Sequence, residues 1–257
     1  MTDIERHILI FGGTTEGRQL AEFCEKNKIP AYVSAATEYG GSLIQQTHFV
    51  SVITGRKSAD EISAFISGNK ITLVLDATHP FATEASRNIA SACRSRKIRY
   101  IRVLRQRDSG GNGIYFDAIP QVVDYLNEHT EGTVFITTGS KELHLYRGIK
   151  NYSERCAARI LPAEGALEKC LSLGFREKMI IMQKGPFTEA QNIEHLRQFG
   201  AAFLVTKESG AAGGFEAKRS ASQKCGAEFL VIRRPDESGI LPEEAERIMI
   251  QENGENK

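Results

Sequence analysis

Short apolar runs alternate with amphipathic segments along most of the chain, a pattern typical of strands separated by helices. In the first part of the chain, strands are predicted at 7–11, 31–35, 49–53, 72–77 and 100–104. Helices are predicted between them at about 16–27, 58–68 and 82–96. This alternation predicts a parallel sheet, because each helix carries the chain back to the same end of the sheet.

A polar, glycine-rich stretch at 106–113 follows, and we expect it to be a linker. Beyond it, strands are predicted near 133–137, 156–160, 179–183, 203–207 and 228–232. Helices are predicted near 119–129, 163–172, 188–199, 216–225 and 242–252, and the packing of the last one is left open. The two blocks predict an α/β protein with two Rossmann-like, doubly wound parallel-sheet domains, 1–112 and 113–257, facing a central cleft.

Composition excludes several classes of function. The 257 residues carry 33 Lys and Arg against 32 Asp and Glu, without the basic excess of a nucleic-acid partner. No apolar run reaches the roughly 20 residues that span a bilayer, and no secretory signal is recognised, so we expect a cytoplasmic protein without a membrane partner. Five cysteines without CxxC spacing are expected to be unpaired, and the histidines other than His79 show no metal-ligand spacing.

The turn after the first predicted strand has the composition of a nucleotide-binding loop. It comprises Gly12, Gly13, Thr14, Thr15, Glu16 and Gly17. Glycine lets the backbone turn tightly and approach a pyrophosphate, whose charge is favoured by the free N–H groups at a helix start. The spacing is GGxxxG and differs from the standard GxGxxG, so a purely structural turn remains the alternative.

A polar segment, called the tip below, ends the strand at 72–77. It comprises Asp76, Ala77, Thr78, His79, Pro80 and Phe81. Ligands bind at the carboxyl ends of parallel strands, so this tip is a candidate site. His79 is a candidate proton donor, since histidine titrates near neutral pH, and the alternative is a positioning role through a hydrogen bond to cofactor or backbone. We expect Asp76 to cap a neighbouring loop, because an unpaired carboxylate in an apolar strand is costly.

Three predicted strands of the second block end in a lysine close to glycine or serine. The segments are Thr137-Thr138-Gly139-Ser140-Lys141, Lys184-Gly185-Pro186-Phe187 and Lys207-Glu208-Ser209-Gly210. Each lysine taken alone is more often a solvated surface charge. Because the carboxyl ends of parallel strands converge on one crevice, the three together predict a site for a polyanionic ligand.

Eight segments carry a resemblance to a known family. They are ILIFGGTTEGRQLA, SAATEYGG, DATHPFATEASRNIASAC, IRVLR, VFITTGSKEL, KGPF, LVTKESGAAGG and IRRP. In this order and spacing they resemble the precorrin-6A reductase and cobalt-precorrin-6A reductase family of cobalamin biosynthesis, over nearly the whole chain. DATHPFA and TKxSG are the most specific segments, whereas many folds share the glycine loop.

The resemblance implies hydride transfer from NADH or NADPH to a double bond of the macrocycle of precorrin-6A or cobalt-precorrin-6A, giving the corresponding 6B compound. It implies a cofactor site in the first domain: Gly12, Gly13, Thr14, Thr15, Glu16, Gly17, Thr37, Thr54, Ala77, Thr78, His79, Pro80 and Phe81. It implies a tetrapyrrole site in the second domain: Gly139, Ser140, Lys141, Lys184, Gly185, Lys207, Ser209, Gly210 and Lys218. Arg102, Arg105 and Arg107 are possible further cations for the carboxylates, and Phe81 and Phe187 are candidate ring contacts.

Several alternatives stay open. The second predicted strand ends in Ser34-Ala35-Ala36-Thr37, without the acidic residue or the arginine that distinguishes NADH from NADPH, although the stretch at 34–41 resembles NADH-using members that reduce the cobalt substrate. A monomer or weak homodimer is expected. Two other functions fit, an NAD(P)-dependent oxidoreductase of another polycarboxylate and a non-catalytic dinucleotide-sensing module. The sensing module would not need the lysine-bearing strand ends.

Overall fold

The structure, a computed structural model, describes residues 7–104, 112–208 and 213–255. The chain divides into unit 1, Met1–Gln106 with Asp236–Lys257, and unit 2, Arg107–Pro235. In each unit the described strands form one sheet in which all pairings are parallel, and helices pack against it. The predicted α/β fold class is therefore confirmed, and the predicted cleft stays a prediction.

The sheet of unit 1 reverses its strand order in the middle. Its strands are β1 (Ile8–Phe11), β2 (Ala31–Ala35), β3 (Val50–Thr54), β4 (Leu73–Asp76) and β5 (Arg99–Arg102). Its helices are α1 (Thr15–Lys26), α2 (Glu38–Ser42), α3 (Ala59–Gly68), α4 (Thr83–Arg96) and α10 (Pro242–Glu255). The strand order is β3-β2-β1-β4-β5, so the reversal lies between β1 and β4, where sheets of this kind bind ligands.

Helices cover both faces of this sheet. Ile8 and Ile10 of β1 belong to a core formed with α1 and α10. Leu9 and Phe11, which alternate with them, belong to a core formed with α3 and α4. A strand buried on both faces is apolar at every position, which is the pattern that β1 shows in the sequence.

The C-terminal segment belongs to unit 1, which corrects the predicted domain 113–257. Ile240 forms a parallel bridge with Val103, directly after β5. Ala245 and Met249 of α10 are buried in the core that contains α1. The sequence predicts the helix correctly, but an amphipathic pattern does not show which of two sheets the helix covers.

Unit 2 repeats the strand order of unit 1 with one addition. Its strands are β6 (Ile114–Phe116), β7 (Thr133–Ile136), β8 (Cys156–Ile160), β9 (Ile180–Met182), β10 (Ala201–Lys207) and β11 (Glu228–Ile232). Its α-helices are α5 (Ile119–Glu128), α6 (Tyr152–Arg155), α7 (Ala166–Ser172), α8 (Glu189–Phe199) and α9 (Phe215–Cys225), with 3-10 helices at Leu143–Gly148 and Glu177–Met179. The order β9-β8-β7-β10-β11 matches that of unit 1, β6 lies beside β11, and the reversal is between β7 and β10.

Five short elements are additional to the predicted ones. They are α2, β6, α6 and the two 3-10 helices, each of three to six residues. Elements this short do not complete the periods by which helices and strands are recognised in a sequence. The longer predicted elements are present, with ends that differ by a few residues.

The position of the C-terminal helix gives a stability prediction. Met249→Ala should destabilise the protein by about 2–5 kcal/mol, because the side chain is fully buried and its truncation leaves a cavity. Ile250 is 52% exposed, so Ile250→Ala is the matched control and should change stability by less than about 0.5 kcal/mol. Urea unfolding measures both variants, and equal effects would contradict the packing of α10 in this core.

Candidate functional site

In unit 1 a hydrogen bond joins the loops that follow β1 and β4. The Thr14 hydroxyl donates to the carbonyl of Ala77 at 2.7 Å. The same hydroxyl accepts the N–H of Gly17 at 3.1 Å and so caps the start of α1. The two segments predicted to bind the nucleotide are therefore adjacent, at the point where the strand order reverses.

The glycines of the first loop are required by its geometry. Gly13 has φ +91°, and a Cβ added there would meet no atom within 4 Å, so the backbone is open at this point. A Cβ at Gly17 would lie 2.5 Å from Cα of Gly12, so the helix can approach the loop only without a side chain. This arrangement fits a pyrophosphate over the open backbone at the start of α1.

Asp76, at the end of β4, is fully buried and fully bonded. Oδ1 accepts the N–H of Thr78 at 3.0 Å and its hydroxyl at 2.7 Å. Oδ2 accepts the Tyr100 hydroxyl at 2.9 Å, and burial together with the Asp76 charge raises the pKa of that tyrosine. The expectation that Asp76 caps a neighbouring loop is confirmed.

Arg102 holds the same loop in place. Its Nη1 lies 3.0 Å from Asp76 Oδ1 and 2.9 Å from the carbonyls of both Asp76 and Thr78, while Nη2 contacts Glu237 Oε2 at 3.0 Å. The guanidinium is buried and forms ion pairs with Asp76 and Glu237, so its charge is neutralised within unit 1, which argues against the possible substrate contact of Arg102. Arg105 and Arg107 lie outside the described residues.

His79 is oriented by the backbone of its own tip. Its Nδ1 accepts the N–H of Phe81 at 3.3 Å, so the proton of the neutral ring lies on Nε2. The ring centres of His79 and Phe81 are 5.8 Å apart, and Pro80, which lies between them in the sequence, is buried. A backbone hydrogen bond was one of the two alternatives for His79, and its chemical role stays a prediction.

Two other predicted cofactor residues hold the short helix α2. The Thr37 hydroxyl caps this helix by accepting the N–H of Gly40 at 3.0 Å. The Thr54 hydroxyl donates to the carboxylate of Glu38 in the first turn. Glu16 lies in the first turn of α1. The predicted contacts of these residues with a cofactor stay predictions.

Unit 2 contains a cavity of about 430 Å³ at the carboxyl ends of its strands. Its lining includes four residues predicted from the sequence: Gly139 after β7, Gly185 after β9, Lys218 on α9 and Phe187, a predicted ring contact. It also includes Arg159 of β8, which sequence reasoning missed. A basic residue inside the apolar run of β8 was the available signal, because charged residues are rarely buried in a strand without a partner.

Neutral side chains orient Arg159. Its Nη1 contacts Asn192 Oδ1 at 2.9 Å and His195 Nδ1 at 3.0 Å, and the guanidinium lies 3.7 Å from the ring centre of Phe187. Burial lowers the pKa of Arg159 to about 10. Burial and the Arg159 charge also lower the pKa of His195. Because a guanidinium can only donate, His195 Nδ1 is the acceptor in this contact.

Lys218 is a second buried cation of this cavity. Its ammonium donates to the Thr206 hydroxyl at 3.1 Å and to the Gly213 carbonyl at 3.0 Å. Burial, and next the like charge of Arg159, lower the pKa of Lys218 to about 7. The folded protein therefore holds this proton weakly at neutral pH.

The other predicted substrate residues have different surroundings. Lys141 and Lys184 are exposed, and Ser140 lies between Gly139 and Lys141. Lys207 forms an ion pair with Glu142, so its charge is partly compensated. The remaining two, Ser209 and Gly210, lie outside the described residues.

Within the described residues, no helix is long and apolar enough to cross a membrane. The same part of the chain contains no group of three or more His, Cys, Asp or Glu side chains that could hold a metal ion. The cysteines are free, and four of them are buried.

Comparison with known proteins assigns the chain to a family. The profile of the family described as Precorrin-6x reductase CbiJ/CobK matches residues 7–251. The chain belongs to this family. The resemblance found in the sequence is confirmed, and with it the prediction of a reductase.

Relatives in this family are similar over nearly their whole length. A cobalt-precorrin-6A reductase of Priestia megaterium is 32% identical, over 89% of this chain and 90% of the relative. A precorrin-6A reductase of Sinorhizobium sp is 28% identical, over 88% of this chain and 84% of the relative. The solved structure of the CobK precorrin-6A reductase has a TM-score of 0.74 and 23% identity, covering 97% of this chain and 98% of that one, and it shows the same fold.

Arg102→Met should destabilise the protein by about 3–5 kcal/mol, because it leaves the Asp76 carboxylate buried without its cation. Arg99 lies on the same strand and is exposed, so Arg99→Met is the matched control, with an expected change below about 0.5 kcal/mol. The denaturant midpoints of the Arg102→Met and Arg99→Met variants measure both effects. A similar small effect for both would show that the ion pair does not hold the loop.

Lys218→Met should stabilise the protein at pH 7 by about 1–3 kcal/mol, because it removes a buried amine that must desolvate. The pKa of Lys218 is lowered from 10.5 to about 7, so the penalty is full below pH 7 and shrinks as pH rises towards 10.5. The stability gap between variant and wild type should shrink in the same window. A gap that is constant from pH 6 to pH 10 would contradict this assignment.

Proposed function

We propose that this chain is a cobalt-precorrin-6A or precorrin-6A reductase of cobalamin biosynthesis. Unit 1 holds a nicotinamide nucleotide, unit 2 holds the tetrapyrrole, and hydride passes to a double bond of the macrocycle. The observation that carries the proposal is the bond between Thr14 and Ala77, because it brings together the two loops that the sequence assigns to the nucleotide. Membership of the precorrin-6x reductase family supports the reaction class.

The residues of unit 1 fit the nucleotide. The backbone of 12–15, with its open position at Gly13 and the N–H groups at the start of α1, would hold the pyrophosphate. The tip at 77–81 would lie beside the nicotinamide, at the carboxyl end of β4. When bound, the nucleotide supplies the hydride, and the protein contributes alignment and exclusion of water.

A proton must also reach the carbon next to the one that receives hydride. His79 is the proposed donor. It would give up the Nε2 proton from its imidazolium form, in which Nδ1 is also protonated and no longer accepts the Phe81 N–H. The Asp76 and Arg102 network fixes the backbone from which His79 projects. In the neutral form, the contact of Nδ1 with the Phe81 N–H orients the His79 ring on this backbone.

Two details of the reaction are part of the proposal: which nicotinamide nucleotide is used, and whether the macrocycle contains cobalt. A nicotinamide cofactor follows from the reductase family in general. We propose the cobalt-containing macrocycle, since the relative with 32% identity is named for it, and we leave NADH and NADPH as the two candidates. The cytoplasmic location and the monomer or weak homodimer stay predictions.

The test of this function is an anaerobic assay that follows nucleotide oxidation. NADH and NADPH are each supplied with precorrin-6A and with its cobalt form, and product is identified by its absorption spectrum. Turnover of either macrocycle supports the proposal. Nucleotide binding without turnover of either one would favour the sensing module instead.

Gly13→Val should weaken dinucleotide binding by at least about tenfold, because the branched side chain occupies the space over the open backbone. Calorimetric titration with NADH and NADPH measures this effect.

Gly226→Val is the matched control. Gly226 has φ +67° and equally open surroundings, but it ends α9 in unit 2, so valine is placed at a positive φ there as well and no nucleotide contact is lost. Equal nucleotide affinity in the two variants would remove the glycine loop from the site.

A further inference from the structure

The C-terminal segment that returns to unit 1 contacts Arg102 at two points. Ile240 donates its backbone N–H to the carbonyl of Arg102 at 2.9 Å, and Glu237 Oε2 lies 3.0 Å from Arg102 Nη2. A Cβ added at Gly239 would lie 2.4 Å from the same carbonyl, so the two backbones can approach this closely only without a side chain there. These backbone contacts fix the path of the segment, and Glu237 faces the guanidinium from a defined position.

Glu237 binds the part of the Arg102 side chain that does not contact the tip. Nη1 makes the contacts with Asp76 and Thr78, whereas Nη2 donates to Glu237 Oε2. Nε is buried and has no hydrogen-bond partner among the described residues. Loss of the Glu237 carboxylate would leave Nη2 without this acceptor in a residue that is only 6% exposed. A buried donor without a partner is costly, so Arg102 would gain free energy by turning Nη2 towards water.

Such a turn would release the backbone of the tip. Nη1 lies 2.9 Å from the Thr78 carbonyl and 3.2 Å from the Thr78 hydroxyl. The guanidinium is planar and rigid, so a rotation that moves Nη2 also moves Nη1 away from Thr78. His79 directly follows Thr78 in the chain. Because a displacement of about 1 Å can lower a rate by about a hundredfold, the orientation of Arg102 matters to a proton donor on this backbone.

We propose that Glu237 is a positioning residue for the reduction, acting through Arg102 on the tip that carries His79. This inference rests on the proposed function, because it requires His79 to act on the macrocycle. It gives a role in the reaction to a residue of the returning segment, outside the nucleotide loop, the tip and the unit 2 cavity. Glu237 itself contacts neither nucleotide nor macrocycle in this scheme and takes no part in proton transfer.

Amide hydrogen exchange of the full-length protein without ligands tests the effect on the tip. The N–H groups of Thr78 and Phe81 donate to side chains of the tip, and in Glu237→Ala they should exchange at least about tenfold faster. The amides of β1 should be accelerated less, which separates a local release from a general loss of stability. Unchanged exchange at the tip, or equal acceleration at the tip and in β1, would overturn the proposal.

Glu243→Ala is the matched control for this experiment. Glu243 is an exposed carboxylate in the first turn of α10, a few residues after Glu237. Its removal should leave exchange at the tip as in the wild type. Acceleration of the tip by this control to the same extent would also overturn the proposal, because the effect would not depend on the contact with Arg102.

Anaerobic turnover of cobalt-precorrin-6A with NADH or NADPH tests the effect on the reaction. Glu237→Ala should lower kcat by about ten- to a hundredfold. Its affinity for the nucleotide should change by less than about threefold, because the proposed pyrophosphate contacts lie in the loop at 12–15. Glu237→Gln keeps an oxygen that accepts from Nη2 and should recover most of the kcat, whereas a purely structural role would leave the kcat of the folded variants unchanged.

The outcomes separate this inference from the proposed function. Wild-type kcat in Glu237→Ala, or a kcat of Glu237→Gln as low as that of Glu237→Ala, would overturn the positioning role alone. A wild-type protein that turns over neither macrocycle would overturn the proposed function and this role with it. Selective acceleration of exchange at the tip would in that case show that the contact of Glu237 with Arg102 is structural only.

Discussion

The ion pair between Arg102 and Asp76 is the interaction on which the site of unit 1 depends. Asp76 ends β4 and Arg102 ends β5, so the pair ties two adjacent strands at the edge where ligands bind. Arg102 also reaches the Thr78 carbonyl in the tip and Glu237 in the returning C-terminal segment. One buried guanidinium thus connects the tip that carries His79 to both parts of the chain that make up unit 1.

The buried charged residues of unit 2 differ from those of unit 1 in their partners. Among the described residues, Arg159 and Lys218 have neutral hydrogen-bond partners, whereas Asp76 and Arg102 neutralise each other. A satisfied pair rigidifies the backbone around it, and an unsatisfied pair of cations leaves binding energy for a ligand. The two units share one strand order, so this difference between them lies in their side chains.

Much of the fold could be predicted from the sequence because each long strand and helix carries its own period. The glycine loop and the tip were recognisable for the same reason, since each directly follows an apolar strand. The return of α10 to unit 1 and the burial of Arg102 were not predictable, because both depend on contacts between residues distant in the chain. Arg159 was missed since its partners, Asn192 and His195, come from a helix more than thirty residues later.

Amide hydrogen exchange tests the division of roles between the units most directly. The full-length protein is compared free, with NADH or NADPH, and with cobalt-precorrin-6A. The account predicts that the nucleotide slows exchange at 12–17 and 77–81, and that the macrocycle slows exchange at 137–141 and 183–187. Protection of the unit 2 loops by the nucleotide, with no change at 12–17, would contradict it.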